Sequence, residues 1–356
     1  MLVKDFDFPL PPELIAQKPL ERRDDSRMMV VRRSDGTVHH AAFREFPDYI
    51  KFGDLLVLND TKVIPAKVWG RRGDALVEFL LFRPREPGAW DVLCRPAKKI
   101  RTGDRIVFSD SLTAVVTESG EEGRRVLKFD VPDVLEHLRE IGYAPLPPYI
   151  KRRKGDPVER PGDLERYQTV FAEKEGAIAA PTAGLHFTPE VLTRLANRGV
   201  KTARVTLHVG LATFQPMRAA RIEDHRMLEE TYTVSEEAAA AVGRAKAEKQ
   251  PIVAVGTTVV RTLESAARES SATEDNGPDS RGGLLSPGTR GTSLFIYPGF
   301  EFKIVDRLLT NFHLPQSTLL MLISAFAGRE LILNAYREAV RERYRFFSYG
   351  DCMLIL

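Results

Sequence analysis

Two textures of apolar residues alternate along the chain. Residues 55–58 (LLVL), 201–207 (KTARVTL) and 252–255 (IVAV) are short, β-rich runs that predict strands buried in a sheet. Longer stretches predict helices: 235–249 is Ala-rich, 259–268 follows a Gly-Thr-Thr step, 319–327 is apolar and 330–343 is amphipathic. Residues 27–32 and 37–42 flank Ser34-Asp35-Gly36, which reads as a hairpin. A short helix is expected near residues 13–16 and a short strand at 294–296. Between Ile64 and Phe129 the texture changes. Residues 66–71, 75–82, 90–94, 105–108, 112–116 and 125–129 are β-type runs in close series, separated by Gly, Pro and charged turns. Such a series predicts a small barrel or sandwich. A helix over 131–140 follows, with Pro132 near its start and Gly142 after its end. The expected fold class is therefore α/β: residues 1–63 and 144–356 form a large α/β domain, and residues 64–143 form a small inserted β-barrel domain.

Candidate chemistry gathers where predicted strands run into helices. Residues 180–190 read APTAGLHFTPE after a small apolar strand over 176–180. Thr188 can cap the following helix, Pro189 suits its first position and Glu190 complements its dipole. The loop 181–187 lies where open α/β sheets bind ligands, so Thr182, Gly184 and His186 are site candidates. Asn59, Asp60, Thr61 and Lys62 follow the strand 55–58, although Asn and Asp also favour plain turns. In VTLHVGLATFQPM a strand delivers His208, and Gly210 and Thr213 allow close approach. Gly256, Thr257 and Thr258 form another junction, and TNFHLPQST (310–318) carries His313. Glu229 and Glu230 add carboxylates before a strand.

Composition narrows the class. A chain of 356 residues is too long for one ordinary core, and 43% hydrophobic with 28% charged residues is ordinary for a globular protein. No 18-residue apolar run occurs and the start, MLVKDFDFPLPP, lacks a signal-peptide core, so no membrane partner and a cytoplasmic location are expected. Cys94 and Cys352 are too few for a disulfide framework or a thiolate metal site. The net charge of +3 neither demands nor excludes a polyanion. Locally, Lys151, Arg152, Arg153 and Lys154 follow Tyr149 in a Pro-flanked loop, a composition that suits phosphates with a stacked base, or a solvated surface. Residues 270–291, rich in Ser, Gly, Pro and Asp, read as a loop or lid.

Three histidines, His186, His208 and His313, recur beside Gly, Thr or Pro. Converging, they would supply groups titrating near neutral pH for acid–base work. Zinc is a rival use, but no HExxH, CxxC or close ligand pair is present, and no metal is expected. Neither a Walker A loop nor GxGxxG occurs.

Long segments carry a resemblance: FDFPLPPELIAQKPLERRDDSRMMV, LVLNDTKVIPAKVWG, YQTVFA, GAIAAPTAGLHFT, VTLHVGLATFQPM, VAVGTTVVRTLES, TSLFIYPGF, LLTNFHLPQSTLLMLISAFAG and YRFFSYGDCMLI. In order from Phe6 to the C-terminus, these resemble the S-adenosylmethionine:tRNA ribosyltransferase-isomerases of queuosine biosynthesis. The resemblance implies S-adenosylmethionine as co-substrate and, as partner, a tRNA carrying 7-aminomethyl-7-deazaguanine at the wobble position. It implies transfer and isomerisation of the ribosyl group to give epoxyqueuosine, with release of adenine and methionine, by a large α/β domain with an inserted β-barrel. On that basis His186, His208 and His313 are the expected acid–base groups. Asn59, Asp60, Thr61, Lys62, Thr182, Gly184, Thr213, Glu229, Thr257, Thr258 and Arg261 are expected to position substrate. Lys151, Arg152, Arg153 and Lys154 are expected to contact tRNA, and a monomer is expected. A tRNA methyltransferase and a non-catalytic RNA-binding protein remain as alternatives, disfavoured by the missing glycine-rich loop and by the concentration of His, Thr and Gly loops.

Overall fold

A computed structural model describes residues 1–152, 159–211, 217, 219–273 and 284–356. Arg153, Lys154, Thr213 and residues 274–283 of the expected loop 270–291 lie outside the described residues. The strands are β1 (Arg27–Val31), β2 (Val38–Ala42), β3 (Leu55–Asn59), β4 (Thr61–Val63), β5 (Lys67–Arg72), β6 (Ala75–Glu86), β7 (Ala89–Arg95), β8 (Arg105–Ser109), β9 (Leu112–Ser119), β10 (Arg124–Phe129), β11 (Lys174–Ala177), β12 (Lys201–Leu207), β13 (Glu230–Val234), β14 (Ile252–Val255), β15 (Gly288–Thr292), β16 (Arg307–Asn311) and β17 (Cys352–Ile355). The α-helices are α1 (Phe46–Tyr49), α2 (Val134–Ile141), α3 (Glu159–Arg166), α4 (Pro189–Asn197), α5 (Glu236–Ala247), α6 (Thr257–Thr273), α7 (Thr318–Ala327) and α8 (Arg329–Arg341).

Nine strands form one mixed sheet in the order β15-β13-β12-β3-β14-β16-β17-β1-β2. The central β12, β3, β14 and β16 are mutually parallel. Their continuous apolar runs follow from burial on both faces. Along β3, Leu55 and Val57 enter one core while Leu56 and Leu58 enter the other. The first core is covered by α5, α6, α7 and α8, and the second by α1 and α4. β5 to β10 close into a six-stranded antiparallel barrel, ordered β10-β7-β6-β5-β8-β9, around Val68, Phe79, Val92 and Leu127. Ile64, Ile178 and Leu211 join this barrel core, so loops of the large sheet plug into it. The fold class is α/β with a closed barrel, as the strand and helix periodicities indicate.

Two local expectations change, and one cap forms as expected. Residues 12–14 form one 3-10 turn, and Ile15 instead bridges to Phe346. Residues 294–296 are not a strand; β15 lies upstream at Gly288–Thr292. The stretch 182–186 is a 3-10 turn, followed by α4 whose Thr188 hydroxyl accepts the Val191 N–H at 3.3 Å, so that cap forms as expected.

Candidate active site

The C-terminal ends of β14 and β16 open into a cavity of about 450 Å³. This is where a parallel sheet leaves strand-to-helix loops with unpaired N–H groups. Gly256, at φ +91°, makes the turn from β14 into α6, a backbone conformation that side chains disfavour. Thr257, Thr258 and Arg261 then project from one face of the first turns of α6 into the cavity. Ser317 and Thr318 bring the start of α7 to the same cavity, with the Ser317 hydroxyl accepting the Leu320 N–H at 3.2 Å. Thr182 and Ala183 add the 3-10 turn after β11.

The charged centre is a buried ion pair between Arg261 and Glu230, whose side chains are 7% and 3% exposed. Glu230 also accepts the Gly210 N–H at 2.9 Å. Arg261 Nε donates to the Leu294 carbonyl at 3.2 Å, while Nη2 is buried with no protein partner. Glu229 was the expected carboxylate, and its side chain instead lies outside, against Gly291. Strand alternation decides this: Glu230 shares its inward face with Tyr232 and Val234.

The structure separates the three histidines. His313 lines the cavity, its Nε2 2.8 Å from Thr310 Oγ1, and burial depresses its pKa to about 3, so the ring is neutral. His186 lies behind the wall. Its Nε2–H donates to Asn311 Oδ1 at 3.0 Å, its ring packs on Phe43, and burial lowers its pKa to about 4. Asn311 in turn donates to the carbonyls of Phe347 and Ser348, which form the cavity wall. His208 is elsewhere again, its Nδ1 2.8 Å from Thr61 Oγ1 and its ring against Gly176. Burial lowers its pKa as well. Among the described residues no group of three or more His, Cys, Asp or Glu gathers to hold a metal.

The tetrad at the end of β3 does not itself line the cavity. Asn59 accepts the N–H groups of Thr61 and Leu207 and donates to Leu207 O and Thr258 Oγ1, so it locks the strand ends and steadies Thr258. Asp60 accepts the Thr206 hydroxyl at 2.6 Å and borders a separate groove along β12 and α5. Lys62 pairs with Glu175 on the surface. Gly184 is tight packing: a Cβ there would lie 2.8 Å from Phe171 and from Thr169. In the basic loop, Arg152 grips Asp163 through two nitrogens at 2.8 and 2.9 Å and is 15% exposed, which makes it a brace rather than a free phosphate ligand. Lys151 is exposed. Tyr149 reaches the cavity, its ring centroid 4.7 Å from that of Phe347 and its hydroxyl 2.7 Å from Ser348 Oγ. Asn311, Phe347 and Ser348 were not singled out; Asn311 stands two residues before His313, and only its contacts reveal its place.

A family profile described as "Queuosine biosynthesis protein" matches residues 3–355. Proteins named S-adenosylmethionine:tRNA ribosyltransferase-isomerase are 50% identical in Thermotoga maritima and 51% identical in Symbiobacterium thermophilum, each covering all of both chains. The crystal structure of an S-adenosylmethionine tRNA ribosyltransferase from Thermotoga maritima aligns at 41% identity with a TM-score of 0.55, over 99% of this chain and all of that one.

Proposed function

The chain is a member of the queuosine biosynthesis protein family, and on that premise we propose that it transfers and isomerises the ribosyl group of S-adenosylmethionine onto 7-aminomethyl-7-deazaguanine at the tRNA wobble position. The product is epoxyqueuosine in tRNA, with adenine and methionine released. It is a transferase with S-adenosylmethionine as co-substrate and tRNA as acceptor. The observation that carries the assignment of the site is Arg261: a buried guanidinium with one unpaired nitrogen on the wall of a cavity large enough for a small-molecule substrate.

A carboxylate satisfies Arg261 Nη2, and the methionyl end of S-adenosylmethionine carries one. Glu230 holds the guanidinium in place and offsets its charge. Tyr149 and Phe347 offer apolar faces for a purine ring. The sulfonium acidifies the neighbouring C5′ hydrogens, so a neutral base suffices to begin the rearrangement. The His313 imidazole lies on the cavity wall and is neutral because it is desolvated, so one of its nitrogens keeps a lone pair in either tautomer. The positive dipole ends of α6 and α7, whose first residues line the cavity, stabilise negative charge developing on departing adenine. His186, through Asn311, acts as a positioning residue for the wall at Phe347 and Ser348. His208 and the tetrad Asn59–Lys62 hold the strand ends.

The test is incubation with S-adenosylmethionine and tRNA bearing the aminomethyl base. Free adenine and methionine with a matching mass gain on the wobble nucleoside are expected. S-adenosylhomocysteine would mean methyl transfer and sink the assignment, and no turnover with tight tRNA binding would leave a binding protein. Arg261→Lys should raise KM for S-adenosylmethionine at least about tenfold, because a point charge on a shorter fork loses the paired geometry. An unchanged KM would remove Arg261 from the binding site.

A further inference from the structure

The two ring nitrogens of His313 are engaged unequally. Nε2 lies 2.8 Å from Thr310 Oγ1, while Nδ1 has no hydrogen-bond partner among the described residues. The ring borders the cavity and is 8% exposed. Its main chain is held as well. The His313 N–H donates to Tyr336 Oη at 2.9 Å, and the Tyr336 ring packs edge-on against Phe8 and Phe312. The imidazole is thus fixed at two points, and the Thr310 hydroxyl decides which nitrogen carries the hydrogen.

A hydroxyl donates once and accepts through its lone pairs. The neighbours of Thr310 Oγ1 are His313 Nε2 and, at 3.4 Å, the Asn311 carbonyl. When the hydroxyl donates to the carbonyl, its lone pair accepts Nε2–H and both contacts are bonds. When it donates to Nε2, the carbonyl contact is lost and Nδ1 must carry a hydrogen that no described residue accepts. Among buried main-chain groups an unpaired donor is rarer than an unpaired acceptor, and the same preference applies to a ring N–H. Both comparisons put the hydrogen on Nε2.

Protonation of the ring gives a third reason. An imidazolium donates from both nitrogens. With hydrogen already on Nε2, the Thr310 oxygen keeps its bond as Nδ1 gains a proton, and that bond strengthens as the ring becomes charged. In the other tautomer the hydroxyl must first turn away from Nε2. A site that need not rearrange at the moment of reaction is preorganised for it.

We propose that Thr310 is a positioning residue that pins His313 in the Nε2–H tautomer and leaves the Nδ1 lone pair as the base toward S-adenosylmethionine. This rests on the ribosyl-transfer reading above. The C5′–H bond breaks, its electron pair stays on C5′ beside the sulfonium, and the proton goes to Nδ1 until departing adenine takes it.

Proton–nitrogen correlation spectra of protein isotope-labelled at histidine test this at pH 7, with the His313 signals identified by their loss in His313→Gln. The expected pattern has a protonated Nε2 and an unprotonated Nδ1. Thr310→Val removes the hydroxyl at similar volume. It should mix the two tautomers and lower kcat at least about tenfold, with KM for S-adenosylmethionine unchanged, because the reacting nitrogen alone is disturbed. Thr310→Ser keeps the hydroxyl and should restore both spectrum and kcat. A wild-type spectrum with hydrogen on Nδ1 overturns the proposal, since His313 would then be a donor to substrate. Folded Thr310→Val with either the wild-type kcat or the wild-type tautomer overturns it too. If that variant fails to fold, the wild-type spectrum still decides the tautomer. The spectrum needs no turnover, so a wrong tautomer and a failed ribosyl transfer are separate results.

Discussion

Two buried neutral histidines make stability depend on pH in a definite direction. His186 and His313 are 2% and 8% exposed, and burial moves their pKa values to about 4 and about 3. In the unfolded chain both return to about 6.5. Their folded values are lowered, so between these limits the unfolded state binds more protons, and stability rises with pH and is lost as pH falls from about 6.5. At pH 5 neither folded ring is substantially charged, whereas both unfolded rings are, which costs about 2 kcal/mol for each relative to pH 7. The sum, about 4 kcal/mol, is a large part of the 5–15 kcal/mol typical of a folded protein. Urea unfolding of the wild type and of a His186→Gln/His313→Gln variant, each at pH 7 and pH 5, isolates this contribution. Carboxylates and the remaining histidines, His208 and His225 among them, are common to both proteins and cancel. The wild type should lose about 4 kcal/mol more than the variant over that interval. Equal losses, within about 1 kcal/mol, would mean that the rings are charged or solvated when folded, and would remove the neutral His313 from the proposed chemistry.

Other expectations follow from single contacts. Glu230→Ala leaves the Arg261 guanidinium buried without its counter-charge and should destabilise the fold by about 3–5 kcal/mol in a denaturant titration; a loss under about 1 kcal/mol would show that the pair is solvated. Gly184→Ala drives a Cβ to 2.8 Å from Phe171 and Thr169 and should cost about 1–3 kcal/mol by thermal melting, whereas a neutral effect would contradict the packing. Arg152→Met should lower the melting temperature while leaving the salt slope of tRNA binding unchanged, because its guanidinium is spent on Asp163; a flatter slope would return Arg152 to the RNA surface.

Local physics was legible before any tertiary contact was known. Short apolar, β-rich runs marked β3, β12 and β14, and the close series of turns marked the barrel strands, because those patterns follow from which faces meet water. The Thr188 cap and the Gly256 turn could be read for the same reason, since each depends on a few neighbouring residues. Family membership also lay in the residue order, in long motifs running to the C-terminus. Convergence was another matter. Histidines in similar loops looked equivalent, yet strand order sends His313 to the cavity, His186 behind it and His208 to Thr61. Glu230 and Glu229 differ only by the face on which a strand places them. Asn311, Tyr149 and Ser348 acquire a role because β16, the segment after the barrel and the C-terminal turn meet in space. Propensity and periodicity act over a few residues, so the chain alone specifies its elements; which side chains share a wall depends on pairings across more than a hundred residues, and the packed sheet decided that.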